Sequence, residues 1–210
     1  MNQNGNKVKY YPRLLTGAMV RAVLSGHKTA TRWPLRKQPV EDVAKRKGKW
    51  VWEDVDGNIF PAPVRPGDVV WVRETWSQDD PSIPPVYRAD GRDWCGCPWT
   101  DEALTGIKWR PAIHMPQRSA RAFLFVDKLR LVQVGDITEE EAKSEGFAPV
   151  GKLLVKNGRG MKIISAREQF IELWDTLHSA RKKGFSDNPY VWAADFHLIS
   201  RDEAREVCRG

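Results

Sequence analysis

The order of helix and strand signals is the feature that constrains the fold most. Thr16 can cap a short amphipathic helix that Gly26 ends, and capping boxes beginning at Thr138 and Ser165 open two more helices. Strand signals lie at residues 31–33, 50–52, 58–60, 69–73, 121–133 and 190–199. Strands and helices do not alternate, which predicts an α+β fold whose sheet is either open or closed into a small barrel.

The length predicts one domain over residues 1–210, since 210 residues with 41% hydrophobic side chains can bury a sizeable core. Residues 1–9 are expected to be a loose tail. Residues 34–64 and 77–107 are rich in proline and charge, and we interpret them as insertions, the second a long loop with little structure of its own. The charged tail after Arg201 is expected to be able to form a helix.

The charge balance points to a polyanionic partner. The 34 Lys and Arg residues exceed the 27 Asp and Glu residues by seven, and the pI is near 9.4. The ten tryptophans offer flat faces on which unpaired bases can stack. The competing interpretation is a protein that is basic without a polyanionic ligand and keeps most tryptophans in its core. We expect RNA, or a nucleoside or nucleotide, as the partner.

Other classes of protein are disfavoured. No apolar run is long enough to span a bilayer, so no membrane partner is expected, and the polar N-terminus lacks a secretory signal. Cys95, Cys97 and Cys208 are too few for a disulfide framework, which favours a reducing cytoplasm. The C-x-C pair cannot close a tetrahedral site, so neither metal nor cofactor is predicted. The sequence leaves the oligomeric state open.

The densest group of polar side chains is the turn from Gly26 to Arg32. Lys28 can act as a base if burial changes its protonation, and Thr31 can act as a nucleophile beside a base. Arg32 can clamp a phosphate or a developing oxyanion. The alternative is a solvated turn with a few hydrogen bonds.

Four blocks in this order resemble the ASCH superfamily, relatives of PUA-like RNA-binding domains, and most closely the ASCH proteins encoded in prophages. The first block is Gly26-x-Lys28-Thr29-x-Thr31-Arg32 behind an amphipathic helix. The others are Trp71-Val72-Arg73-Glu74-Thr75-Trp76, Trp109-Arg110-Pro111-Ala112-Ile113-His114-Met115-Pro116 and Asn188-Pro189-Tyr190-Val191-Trp192. Pro66-Gly67-Asp68, the strand at 121–133 and the segment 136–146 also match.

The resemblance implies a small mixed or antiparallel β-barrel flanked by helices, with a cleft that faces RNA or a nucleoside. It also implies that the protein is found in the cytoplasm of a bacterial or phage-infected cell. One branch of the superfamily is a short amidohydrolase that deacetylates acetylcytidine, and its Lys, Thr and Glu fall on Lys28, Thr31 and Glu145. Other branches resemble nucleases for single-stranded RNA or are thought only to bind RNA. Glu145 has an alternative interpretation as a surface carboxylate on the last turn of its helix.

Further candidates come from the remaining blocks. Glu74, which follows a buried strand, is the reserve acid or base; its alternative is a structural salt bridge with Arg73 or Arg110. The candidate binding residues carry cations or flat rings: Arg32, Trp76, Arg110, His114, Arg118 and Arg121. The charge runs at 45–49 and 181–183 are expected to be solvated unless they flank the cleft.

The sequence therefore leads to two main hypotheses. The first is an ASCH-type hydrolase of a modified nucleoside, such as acylated cytidine, or of single-stranded RNA, with Lys28, Thr31 and one glutamate at its centre. The second is a non-catalytic RNA-binding module of phage origin. A third possibility is a prophage accessory protein whose partner is another protein.

Overall fold

The computed structural model describes residues 8–39, 43–45, 50–80, 82–91, 106–153 and 161–209. Its strands are β1 (Tyr10–Leu14), β2 (Ala30–Pro34), β3 (Val43–Lys45), β4 (Val51–Asp54), β5 (Ile59–Pro61), β6 (Val69–Arg73), β7 (Trp76–Ser77), β8 (Val86–Tyr87), β9 (Phe123–Gln133), β10 (Val150–Leu153), β11 (Met161–Ile164) and β12 (Tyr190–Ile199). Its α-helices are α1 (Gly17–Leu24), α2 (Glu139–Ser144), α3 (Ala166–His178) and α4 (Arg201–Arg209). Single 3₁₀ turns lie at Arg88–Asp90, Ala112–His114, Gln117–Ser119, Val134–Asp136, Ser179–Arg181 and Phe185–Asp187.

The helix starts follow the capping signals. The Thr16 hydroxyl accepts a hydrogen bond from the Met19 N–H, and both capping boxes form, at Thr138 before α2 and at Ser165 before α3. Gly26, after α1, has φ +76°, which a glycine adopts without the cost of a β-carbon. The three predicted helix starts are thus confirmed.

The chain divides into two units that interleave along the sequence. Unit 1 contains residues 1–26, 67–126 and 197–210, and unit 2 contains residues 27–66 and 127–196. Because the chain passes from one to the other after residues 26, 66, 126 and 196, neither unit is a continuous segment.

Unit 1 is built on strands β1, β6 and β9. β1 runs parallel to β6, with Tyr10 opposite Val69, and β6 runs antiparallel to β9, with Val69 opposite Phe125. Its core includes Trp71, Met115 and Phe123 from these strands and the loop before β9. Val8, at the end of the predicted loose tail, is buried in this core, and the Lys9 N–H bonds to the Asp68 carboxylate. The tail prediction is therefore wrong for residues 8 and 9.

Unit 2 is built on β2, on β12 as far as Phe196 and on the part of β9 that begins at Asp127. β2 and β12 are antiparallel, with Trp33 opposite Trp192. Val191 packs into a cluster with Phe170 and Trp174 of α3. Trp192, the next residue, points to the opposite face of the sheet, so β12 carries apolar side chains on both faces.

The predicted insertions contain regular structure. Residues 34–64 include the antiparallel sheet β3-β4-β5, in which the predicted Asp56-Gly57 turn joins β4 to β5 and Gly57 has φ +77°. Trp52 of β4 lies edge-on against Trp192, with ring centroids 4.9 Å apart. In residues 77–107, the structure contains the short β7–β8 hairpin, which agrees with a loop that has little structure of its own; residues 81 and 92–105 lie outside the described part.

The fold class is a mixed α+β arrangement, as predicted. In the part of the chain that the structure describes, the strand orders are open, β1-β6-β9 in unit 1 and β9-β12-β2 in unit 2, and no closed barrel is formed. The barrel and the single domain stay predictions. Within the described ranges, no helix combines the length and the apolarity that crossing a membrane would require.

Replacing Trp52 with alanine tests the attachment of the β3-β4-β5 sheet. Loss of a buried indole is expected to lower the free energy of unfolding by about 3–5 kcal/mol. Ile59→Ala, on the exposed face of the neighbouring strand, is the control and should change it by less than about 0.5 kcal/mol. Urea denaturation of both variants measures the difference, and equal effects would contradict the packing.

Candidate functional site

A buried ion pair joins Lys28 to Glu145. Lys28 lies between Gly26 and β2, and Glu145 directly follows α2, where a bond from the Thr29 N–H to the Ser144 carbonyl (2.8 Å) holds the two segments together. The Lys28 Nζ donates to the Glu145 carboxylate (Oε2, 2.7 Å), to the Glu145 carbonyl (3.0 Å) and to the Ala30 carbonyl (2.8 Å). An ammonium group has three N–H donors, so all of them are used.

Arg32 lies on the second oxygen of the same carboxylate. Its Nη1 donates to Glu145 Oε1 (3.0 Å) and its Nη2 to Glu141 Oε2 (2.8 Å). The guanidinium carbon lies 5.9 Å from the centroid of the Phe170 ring, and Nε is buried without a hydrogen-bond partner among the described residues. Arg32 was predicted to clamp a phosphate, but both of its terminal nitrogens already donate hydrogen bonds to carboxylates.

The ion pairs continue outward to the surface. Arg130 of β9 bonds Glu141 Oε1 (2.9 Å) and approaches Asp195 of β12 (3.4 Å). The side-chain exposure rises from 1% at Lys28 to 43% at Arg130. We call the six alternating charges the Lys28 network: Lys28, Glu145, Arg32, Glu141, Arg130 and Asp195. Three cations balance three carboxylates, so the network is electrically neutral.

Glu141 is the link between the buried and exposed parts of the network. Partial burial acts to raise the pKa of its carboxyl group. The hydrogen bond from Arg130, the charge of Arg32 and the Thr138 N–H together outweigh that effect and hold the pKa below its ordinary value of 4.5. The carboxylate form of Glu141 is therefore stabilised by the folded protein.

Thr31 lies on the other face of β2 from Arg32, because successive side chains of a strand point to opposite faces. It is half-buried, and its hydroxyl makes no hydrogen bond to another described residue. The Ala30 carbonyl that accepts from Lys28 belongs to the peptide unit shared with Thr31. The structure thus brings Lys28, Arg32 and Glu145 into contact, whereas the Thr31 side chain points to the opposite face of β2 from Arg32.

Glu74, the reserve carboxylate, is part of a separate cluster in unit 1. Both of its oxygens accept from Arg121, at 2.8 Å from Nε and 3.0 Å from Nη2, and Arg121 also bonds Asp90. Burial raises the pKa of Glu74 in spite of this partner. The Arg121 guanidinium stacks 4.0 Å from the centroid of the Tyr87 ring, whose hydroxyl pKa burial raises to about 12. The salt bridge that sequence reasoning considered thus exists, with Arg121 as the partner rather than Arg73 or Arg110.

The other binding candidates of unit 1 differ in accessibility. Trp76 is only 3% exposed, and Arg110 lies over its ring at 5.0 Å from the centroid, so the indole offers little surface to a base. His114 and Arg118 are exposed on short 3₁₀ turns. These residues belong to unit 1, whereas the Lys28 network belongs to unit 2.

Sequence reasoning missed three members of the network. Glu141 had a recognised role in the capping box, and its carboxylate does accept from the Thr138 N–H, yet it also bonds two arginines. Arg130 and Asp195 carry no local motif, because their contact depends on the pairing of distant strands. The described residues contain no group of three His, Cys, Asp or Glu side chains suited to a metal ion; Cys95 and Cys97 lie outside them.

Comparisons with known proteins add little to this geometry. No family model matches the chain, and no curated protein sequence matches it. Among solved structures, the chain is similar to the crystal structure of protein EF3133 from Enterococcus faecalis V583, described under the family model DUF984. The identity is 10%, the match covers 90% of this chain and 81% of that chain, and the TM-score is 0.41. A likeness of this size does not assign a family.

The burial gradient predicts how stability responds to removal of charges. Lys28→Met leaves a buried carboxylate with one cation fewer and should cost about 3–5 kcal/mol of unfolding free energy. Arg130→Ala, at the exposed end, should cost no more than about 1 kcal/mol. Chemical denaturation of both variants tests this order, and a cost at Arg130 equal to that at Lys28 would contradict it.

The lowered pKa of Glu141 predicts part of the acid response. Because the folded pKa lies below the ordinary value of 4.5, the stabilisation is present above pH 4.5 and is lost as the pH falls through the folded value. At neutral pH, Glu141→Gln should therefore be less stable than the unaltered protein. When the pH is lowered to about 3, the melting temperature of the variant should fall by less than that of the unaltered protein. The exposed neighbour Glu140→Gln is the control, and an equal effect there would refute the assignment.

Proposed function

We propose that this protein is a hydrolase that cleaves an acyl amide on a modified nucleoside, with acetylcytidine as the model substrate. Lys28, Glu145 and Thr31 would carry the reaction. The observation that supports this proposal most is the 2.7 Å contact between Lys28 Nζ and Glu145 Oε2, which joins two residues 117 positions apart. The ASCH resemblance implies the same three positions, and the small barrel with its cleft belongs to this proposal.

The proposed reaction uses the ion pair as a proton acceptor. As Glu145 takes a proton from the Lys28 ammonium, the amine takes the proton of the Thr31 hydroxyl through a bridging water molecule, since the hydroxyl makes no direct hydrogen bond to Lys28. The hydroxyl oxygen then attacks the amide carbonyl carbon, and the C–N bond breaks as the leaving nitrogen receives a proton from Lys28. Water hydrolyses the resulting ester, which releases the carboxylic acid and restores the Thr31 hydroxyl, and Glu145 returns its proton to the Lys28 amine.

The charge balance of the network favours amide cleavage over cleavage of an RNA strand. Phosphoryl transfer needs cations that face the phosphate, and both Lys28 and Arg32 are already bonded to carboxylates. An acyl amide of a nucleobase carries no charge in its ground state, so binding it requires no free cation, and negative charge develops only on the carbonyl oxygen during attack. The ribonuclease version of the hypothesis therefore has less support from the geometry.

A non-catalytic RNA-binding module is the second candidate. The observation that favours it is the burial of Lys28, which is only 2% exposed and already has an acceptor for each of its three N–H donors. A structural ion pair has the same appearance. This candidate predicts RNA binding that weakens as salt rises, with no turnover.

Thr31→Val separates catalysis from structure. The hydroxyl has no hydrogen bond to another described residue, so its replacement by a methyl group of similar size should leave the melting temperature nearly unchanged. Deacetylation of acetylcytidine, followed by mass spectrometry, should fall by about 100-fold or more if Thr31 supplies the attacking oxygen. Thr29→Val makes the same change at the exposed neighbouring threonine and should retain turnover.

Three results would count against the proposal. Turnover that persists in Thr31→Val removes Thr31 from the reaction. Equal loss in Thr29→Val indicates a general effect on the turn rather than on chemistry. Absence of product with the unaltered protein, together with salt-dependent retention of RNA, favours the second candidate.

A further inference from the structure

Tryptophans line the face of the β2–β12 pair that carries Thr31. Thr31 and Trp33 point to the same side of β2, and Trp192 shares that side because it pairs with Trp33. The ring of Trp52 lies edge-on against that of Trp192, with 4.9 Å between the ring centroids. The centroid of the Trp50 ring lies 6.2 Å from that of Trp52. We call these four indoles, Trp33, Trp192, Trp52 and Trp50, the tryptophan face.

The outer end of the tryptophan face carries a cation. Lys45 Nζ lies 3.8 Å from the centroid of Trp50 and 5.4 Å from that of Trp52, because Lys45 is the cross-strand partner of Trp52 in the β3–β4 pair. Lys45 is exposed and Trp50 half-buried, whereas Trp52 and Trp192 are buried. The face therefore runs from a fixed interior to an accessible pair of lysine and indole.

The charges around this pair favour an anionic ligand. Two neighbouring stretches lie outside the described residues: Arg46-Lys47-Gly48-Lys49, which adds three positive charges between Lys45 and Trp50, and Glu41-Asp42, which adds two negative charges before β3, so the segment stays net positive. Glu53 points to the opposite face of β4 from Trp52, and the Asp54 carboxylate accepts hydrogen bonds from the backbone and side-chain N–H groups of Asn58. A flat ring beside a cation, in a basic segment, is the combination that binds an unpaired base and its phosphate.

We propose that Trp50 and Lys45 form a binding site for single-stranded nucleic acid, with a base stacked on Trp50 and a phosphate at Lys45. The site lies outside the Lys28 network, and binding needs no reaction there. It also deepens the proposed function, on which this part rests: a strand held at Trp50 would bring its bases to the face that carries Thr31, so that the substrate is a modified nucleoside within a strand rather than a free one.

Fluorescence anisotropy with a labelled oligouridine tests the site. Trp50→Ala should weaken binding by about 5- to 150-fold, as expected for the loss of one stacked base, while Trp50→Phe, which keeps a ring, should retain most of the affinity. Lys45→Ala should reduce the slope of log Kd against log salt by about one, and Lys45→Arg should preserve it. Lys128 is an exposed lysine of β9, so Lys128→Ala is the matched control for charge. It should change both the affinity and the salt slope by less than Lys45→Ala does.

The outcomes separate this proposal from the proposed function. Any of three results overturns the site. The affinity is unchanged in both Trp50→Ala and Lys45→Ala, Lys128→Ala loses as much affinity as Lys45→Ala, or a duplex of the same length binds as tightly as the single strand. If the protein deacetylates free acetylcytidine but binds no oligouridine, the nucleic-acid site is overturned and the proposed hydrolase activity is supported. Binding that depends on Trp50 and Lys45, without turnover of acetylcytidine free or in a strand, supports the site and overturns the hydrolase. An RNA and a DNA oligonucleotide of matched sequence, measured in parallel, identify which strand is preferred.

Discussion

A buried ammonium group is the constraint around which unit 2 is arranged. Removing a cation from water costs several kcal/mol unless each of its N–H groups finds an acceptor. Lys28 meets this requirement with two carbonyl oxygens and one carboxylate, which fixes the end of α2 against the start of β2. Glu145 then needs a second donor, and Arg32 supplies it. Each charge in the series requires the next until the network reaches solvent at Arg130.

Because side chains alternate along β2, one face of the strand carries paired charges and the other carries aromatic rings. Arg32 points to the side of α2 and α3, where charges are paired and buried. Thr31 points to the side of Trp33 and the β3-β4-β5 sheet, where aromatic rings accumulate. A base could approach from the aromatic side without displacing any ion pair, while the Lys28 ammonium stays one hydrogen bond from the peptide unit of Thr31. In the proposal the aromatic face binds the base and the charged face supplies the proton acceptor, so a water molecule has to connect Lys28 with the Thr31 hydroxyl.

Local signals explain which elements could be predicted. The capping boxes at Thr138 and Ser165, the glycine after α1 and the Asp56-Gly57 turn act over a few residues, and the structure contains all of them. β1 was not predicted, because Tyr10–Leu14 becomes a strand through its parallel pairing with β6, almost 60 residues away. The β3-β4-β5 sheet was predicted only as one hairpin within an insertion, since β3 is three residues long and depends on β4 for its hydrogen bonds.

The sequence by itself determined the helix starts, the main strands, the mixed α+β class and the choice of Lys28 and Arg32 as candidates, because these depend on local backbone preferences and on short motifs. Glu145 became a candidate through the ASCH resemblance. Only the tertiary structure decided that Glu145 rather than Glu74 lies against Lys28, that Arg121 is the partner of Glu74, and that Glu141, Arg130 and Asp195 extend the network. The physical reason is that an ion pair forms over about 4 Å in space, whereas these partners are separated by tens of residues along the chain and meet only once the strands have paired in register.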